Sequence, residues 1–397
     1  MPQILGAVEG PQNTFDPAAV LEVMESMRNP ENGAFKAALT PDYDAMWLRD
    51  HLFCTFAYLY LGDYEKFKAG VALVFKYFKL NRKTLITRIC SPIAVPGGIL
   101  HAKVDSQTLA QVTTDKGWGH HQVDALGLFF FIVAEADRRD VKVAKDPADR
   151  EILRLLVAYL RSVEYWEKPD LGMWEECLTR KMTSIGFAVS GLSHIKHQGL
   201  ATVPDPLVEF GQKALDALWP NESKDQCARP QHSHDCDAAQ LFLIWPCRVI
   251  GDTEKQNELL GRILNGHEAT PGQTHCLLQK NGLNRYWGDD YYRSGAEGKY
   301  ISAEWTMFFF LLCIVYADRH EYTEAEKWFT RGCDSMIENK VPEEFHDGKP
   351  GIHTPLAWGQ ALALIAWTKL GAEQQKKFTP APKEGLAVVS AKTVEKP

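Results

Sequence analysis

No glycine-rich phosphate loop, dinucleotide fingerprint or Gly-x-Ser-x-Gly elbow occurs in the 397 residues, so nucleotide and serine-hydrolase chemistry drop out. A basic block is missing too. Lys and Arg number 44 against 51 Asp and Glu, for a net charge of -7, and such a balance offers nothing to a nucleic-acid polyanion. The most apolar windows, 126–134 and 308–316, fall well short of the roughly 20 residues that span a bilayer, so no membrane partner is expected. The opening MPQILGAVEGPQNTFDP has no basic n-region and its apolar run is interrupted, which argues against a secretion leader. The nine cysteines are odd in number and lack framework spacing. A reduced, cytoplasmic setting is therefore expected. Cys227, His232, His234 and Cys236 bring four soft ligand types together, but their spacing matches no zinc-finger or zincin pattern. A polar loop is the preferred reading there, and neither metal nor organic cofactor is expected.

What the sequence has is helical periodicity. Apolar residues at i, i+3, i+4 and i+7 recur from end to end and predict helices near 16–28, 46–60, 63–79, 119–139, 147–166, 182–196, 205–218, 236–250, 253–264, 301–319, 322–338 and 355–370. Asp16-Pro17, Asp146-Pro147 and Thr354-Pro355 read as helix starts. About twelve helices in one domain over 1–377, paired in alternation around a ring, is the expected all-α architecture. Residues 378–397 read as a mobile tail. Long loops at 81–114, 167–179, 220–235, 266–300 and 339–353 carry more aromatic, acidic and Gly/Pro residues than a connector requires.

Five constellations sit in or beside those loops. Tyr43 precedes Trp47-Leu48-Arg49-Asp50, where a guanidinium fork, a carboxylate and an apolar plate together suit vicinal sugar hydroxyls. Alternatively, Arg49 and Asp50 are surface charges at a helix start. Trp118, flanked by Gly117 and Gly119, is either a ring meant to meet a ligand or a core residue in a tight turn. Trp174-Glu175-Glu176 and Pro342-Glu343-Glu344-Phe345 set acidic pairs beside bulky apolar groups, a setting that raises a carboxyl pKa. Two such carboxyls are what glycoside hydrolysis asks for. The competing account is that each pair serves a helix dipole. Arg285, Tyr286, Asp289, Asp290 and Tyr291 crowd cation, carboxylates and rings into a fifth segment, a composition that suits sugar better than a core.

Taken in order, these segments resemble the glucoamylase family of glycoside hydrolases, family 15. The landmarks are Trp47-x-Arg49-Asp50, Gly117-Trp118-Gly119-x-x-Gln122-x-Asp124, Trp174-Glu175-Glu176, Arg285-Tyr286-x-x-Asp289-x-Tyr291, Pro342-Glu343 with Phe345, and Leu356-x-Trp358. The resemblance implies an (α/α)6 barrel with its active site at one mouth, Glu175 as general acid and Glu343 as general base. It places Tyr43, Trp47, Arg49, Asp50, Trp118, Trp174, Glu176, Arg285, Tyr286, Asp289 and Trp358 around a short oligosaccharide, and it implies inversion at the anomeric carbon. His120-His121 and Glu344 depart from the pattern of the best-known members. The glucoamylase-like portion of phosphorylase kinase regulatory subunits shares the structural family, so a carbohydrate sensor is the rival reading. A third, sugar epimerisation on a helical ring, would recruit His120, His121, His275 and His353.

Overall fold

The computed structural model describes residues 14–91, 99–112, 119–229, 232–270, 273–291 and 302–379. Its helices sort into two kinds by where their apolar residues fall. In α2 (Leu48–Leu61), α5 (Val123–Arg138), α7 (Met182–His197), α10 (Met307–Asp318) and α12 (Ala357–Lys369) nearly every residue is buried, polar ones included. A helix apolar all round has no solvent face and must be enclosed. In α6 (Pro147–Ser162), α8 (Asp205–Leu218), α9 (Thr253–Asn265) and α11 (Tyr322–Asp334) burial is confined to one stripe, such as Ile152, Leu153, Leu156, Val157 and Leu160 of α6. α1 (Pro17–Ser26) and α3 (Tyr64–Leu80) behave alike. These are the outer helices.

A six-residue 3-10 helix, Ala238–Leu243, fills the remaining inner position. Packing runs from α2 to α5, α7, the 3-10 helix, α10, α12 and back to α2, closing the ring. Outer and inner elements alternate along the chain, so every inner element enters from the same end. The site is built at that end. Among the described residues, four two-stranded antiparallel sheets decorate the loops: β1 (Ala45–Trp47) with β2 (Lys103–Asp105), β3 (Ser233–Asp237) with β6 (Tyr286–Trp287), β4 (His267–Thr270) with β5 (Gln273–His275), and β7 (Phe345–His346) with β8 (Lys349–Pro350). No helix among the described residues is long and apolar enough to cross a membrane.

The expected all-α ring is present, with local differences. The segment expected as a helix over 236–250 tightens into the 3-10 turn, because Pro246 lacks the N–H to continue it and restricts Trp245 before it. The presumed loop after Asn81 contains α4 (Arg82–Cys90), whose single buried residue, Leu85, gives almost no periodic signal. Asp16 and Asp146 cap their helices by accepting from backbone N–H groups. Thr354 does not cap: α12 begins at Ala357, and the Thr354 hydroxyl donates to Gly351 O instead. At the C-terminus α13 (Ala372–Phe378) ends on a residue expected to open the tail, yet Phe378 is buried, its ring 4.9 Å from that of Phe329. Residues 380–397 lie outside the described residues.

Candidate active site

Each long loop delivers its side chains by a different local device. β1 leads directly into α2, so Arg49 and Asp50 occupy the first turn of an inner helix. Both are buried, which removes the surface-charge reading. The Arg49 guanidinium donates to Gln122 Oε1 at 3.1 and 2.6 Å and pairs with Asp124 at 3.2 Å. It also reaches Glu175 at 3.9 Å. Burial pushes the Asp50 carboxyl up to about 6, against the pull of Arg49 and of the backbone N–H of Trp358.

Glu175 lies in the segment between α6 and α7, which is tied down from both sides. Asp170 accepts from Val123 N at 3.0 Å and from the Ser184 hydroxyl at 2.8 Å, and Leu171 N donates to His121 O. The backbone at Glu175 is left-handed, with φ of 63°. For a residue with a Cβ that is an unfavourable conformation, held only where the surroundings enforce it. Part of the enforcement is visible: a Cβ on Gly119 would stand 2.4 Å from the Glu175 carbonyl oxygen, so only glycine lets the two segments touch. The Glu175 side chain keeps 24% of its surface open towards the cavity. Protein crowds it on the other sides, and this burial pushes its pKa up to about 7, with Asp50 pushing the same way and Arg49, Gln122 and Trp47 opposing.

Glu343 comes from the loop between α11 and α12. Its N–H donates to His353 O at 3.1 Å, and the Glu304–Phe345 pairing fixes the next residues. The Tyr43 hydroxyl donates to Glu343 Oε1 at 2.8 Å and lies 3.3 Å from that of Tyr291. Neighbouring Glu344 is buried, which pushes its carboxyl up to about 7, and it shares a hydrogen bond with Glu343.

These loops enclose one cavity at the mouth of the ring, with about 530 Å³ of empty space including its opening. That is room for a small ligand. Glu175 and Glu343, from loops far apart in the chain, both line it. So do Tyr43, Trp47, Arg49, Asp50, Trp174, Arg285 and Trp358. Ala37, Met173, Tyr291, Trp305 and Leu356 complete the wall. Arg285 is held in place by Asp289 at 2.6 and 2.7 Å and lies over the rings of Trp174, Tyr291 and Trp305.

Three anticipated residues stand behind the wall rather than on it. Asp289 is spent on Arg285, Glu176 forms an ion pair with Arg285 at 3.0 Å, and the Tyr286 hydroxyl donates to Glu176. Trp118 lies outside the described residues. Among the described residues, none of the histidines lines this cavity. Of the residues not anticipated, Trp305 was obscured because the apolar run around it reads as helix from 301, whereas α10 begins only at Met307. Ala37 and Met173 carry no chemical signal that a sequence could expose. The suggested ligand cluster also changes membership. Cys236 is buried elsewhere, and Cys177 joins Cys227, His232 and His234 instead. Cys177 and Cys227 form a disulfide, contrary to the expectation of thiols throughout.

The sequence profile of "Glycosyl hydrolases family 15" matches residues 17–328. The chain belongs to this family. The match stops before Glu343, so that residue's place in the cavity is a separate finding. A solved wild-type glycosidase superposes on this family 15 chain with a TM-score of 0.72 at 16% identity, covering 89% of this chain and 95% of that one. The glucoamylase of Saccharomycopsis fibuligera gives 0.59 at 14%, covering 91% and 94%. At these identities the likeness is one of fold. By sequence the chain is similar to the probable phosphorylase b kinase regulatory subunit alpha of Drosophila melanogaster, 23% identical over 85% of this chain and 31% of that protein. It therefore spans about a third of the length of that curated relative.

Proposed function

We propose that the chain is an inverting, exo-acting hydrolase of short α-gluco-oligosaccharides, of the isomaltose or maltose type, acting in the cytoplasm. One observation carries this reading: two carboxyls from unrelated loops line one cavity, Glu175 pushed up by burial and Glu343 held by the Tyr43 hydroxyl. Glu175, desolvated, is suited to give a proton to the departing glycosidic oxygen. Glu343, held by the Tyr43 hydroxyl, is suited to take one from the attacking water. Arg49, Asp50 and the indoles of Trp174 and Trp358 would grip the non-reducing glucosyl unit, donors and acceptors on its hydroxyls and ring faces on its C–H groups. A cavity with room for a small ligand suits a chain terminus, hence the exo action. Incubation with α-1,2 to α-1,6 disaccharides, followed by NMR, tests the reading. β-Glucose should appear first, and α-glucose first would overturn inversion.

The general acid must be protonated to act, so activity should fall as pH rises through about 7, the value to which burial takes Glu175. Stability should decline in the same direction. The raised carboxyls of Asp50 and Glu175 keep protons in the folded chain that the unfolded chain gives up from about pH 4, so their favourable share is complete below that and lost as pH climbs towards 7. A kcat profile and thermal melts over the same pH series check both limbs.

The similarity to kinase regulatory subunits favours a second reading, a module that binds oligosaccharide without cleaving it. Saturable binding of maltose or isomaltose with no glucose released from any disaccharide of the panel would select it.

A further inference from the structure

Directly behind the wall that carries Glu175 and Trp174 is a polar cluster for which glycoside hydrolysis has no use. Cys177 Sγ, Cys227 Sγ and one ring nitrogen each of His232 and His234 all lie within 4.8 Å of one another. Cys177 comes from the loop that holds the acid, Cys227 and His232 from the segment that leads into β3, and His234 from β3 itself. His232 Nδ1 is 3.4 Å from Cys177 Sγ and 3.9 Å from Cys227 Sγ, while its Nε2 is 3.0 Å from Asp290. His234 Nδ1 is 3.1 Å from Asp237, and its Nε2 is buried with no hydrogen-bond partner among the described residues. An imidazole nitrogen shut away from water and left unpaired is costly unless something binds it. A carboxylate on the far nitrogen of each ring is the arrangement that orients histidines towards a metal.

We propose that, when the Cys177–Cys227 bond is reduced, these four side chains bind one Zn²⁺ as a tetrahedral Cys2His2 site. A dithiol reductant passes two electrons and two protons to the disulfide, leaving two thiols and the reductant's own disulfide. Zn²⁺ then displaces one proton from each thiol. Two thiolates and two neutral imidazoles around Zn²⁺ have no net charge, which suits a buried position. The sulfurs must part to about 3.8 Å for Zn–S distances of about 2.3 Å, and Cα atoms 5.3 Å apart allow this by side-chain rotation. Soft sulfur and nitrogen donors select zinc over magnesium or calcium. The neighbouring acidic group of Glu176, His232 and Asp290 is a poorer candidate, because Arg229 already pairs with both carboxylates at 3.2 and 3.0 Å.

The site would tie the catalytic wall from behind. Cys177 is two residues from Glu175, and Asp237, which orients His234, also accepts from the Trp174 indole at 2.9 Å. The inference does not depend on whether the cavity hydrolyses or merely binds sugar.

The full-length chain, treated with dithiothreitol and then with ZnCl2 and desalted, is analysed for zinc by mass spectrometry. Cobalt(II) is loaded in parallel to look for a thiolate-to-metal charge-transfer band. About one metal per chain with that band is expected, falling to below about a tenth in Cys177→Ser and in His234→Ala. Thiols freed without metal uptake, a disulfide that dithiothreitol leaves closed, or full zinc content in His234→Ala would each overturn the proposal. The cobalt band in the unsubstituted chain decides the matter even if a variant fails to fold.

Discussion

Glu175→Gln should lower kcat by about 10²–10⁴-fold on whichever α-glucoside the chain cleaves, with little change in KM. The amide keeps the shape of the side chain but has no proton to give. Burial already drives Glu175 towards its neutral form, so the fold should lose nothing and thermal melts should be unchanged or slightly higher at pH 7. Glu343→Gln should cost as much, for a different reason: the water loses the carboxylate that activates it, while the Tyr43 hydroxyl can still donate to the amide oxygen. The leaving group separates the two roles. An activated aryl α-glucoside departs without protonation, so it should restore much of the rate to Glu175→Gln and none to Glu343→Gln. Full activity in both variants would remove the two-carboxylate scheme, whereas equal rescue of both would remove the division of labour.

The ring was legible in the sequence because its two kinds of helix obey two different patterns. α10 and α12 are apolar on every face and α6 and α11 on one, and those patterns are local. Glu175 and Glu343 were legible for a weaker reason: each is an acid beside bulky apolar groups in a loop longer than its connection needs. Their convergence on one cavity is tertiary and has no signature in either segment. Depth was illegible as well. Glu176, Tyr286 and Asp289 have the same composition as wall residues, and only the ion pairs with Arg285 and the hydroxyl on Glu176 reveal that they brace the wall from behind. The cysteines show the same limit in reverse. Cys177 stands fifty residues from Cys227, so a window of ten residues chose Cys236, which is nearer in sequence and turned away in space.

Arg49→Met should have the largest effect on stability, and it would report on the wiring of the site. The guanidinium serves Gln122, Asp124 and Glu175 together, and Asp124 is almost fully enclosed. Met fills much of the same volume but leaves that carboxylate buried without its cation, a loss of about 3–5 kcal/mol for a broken buried pair. Urea denaturation at pH 7 measures it. Adding Asp124→Asn removes the stranded charge, so the double variant should recover most of the loss. Activity should stay low in both, because the fork that would grip the sugar is gone. Any activity left in the double variant carries a further sign. Arg49 opposes the rise in the Glu175 pKa, so without it that carboxyl should hold its proton to higher pH and the alkaline limb of the kcat profile should move upward. An unmoved limb would mean that Arg49 does not act on Glu175, and a double variant as unstable as the single one would mean that Asp124 is not the group it neutralises.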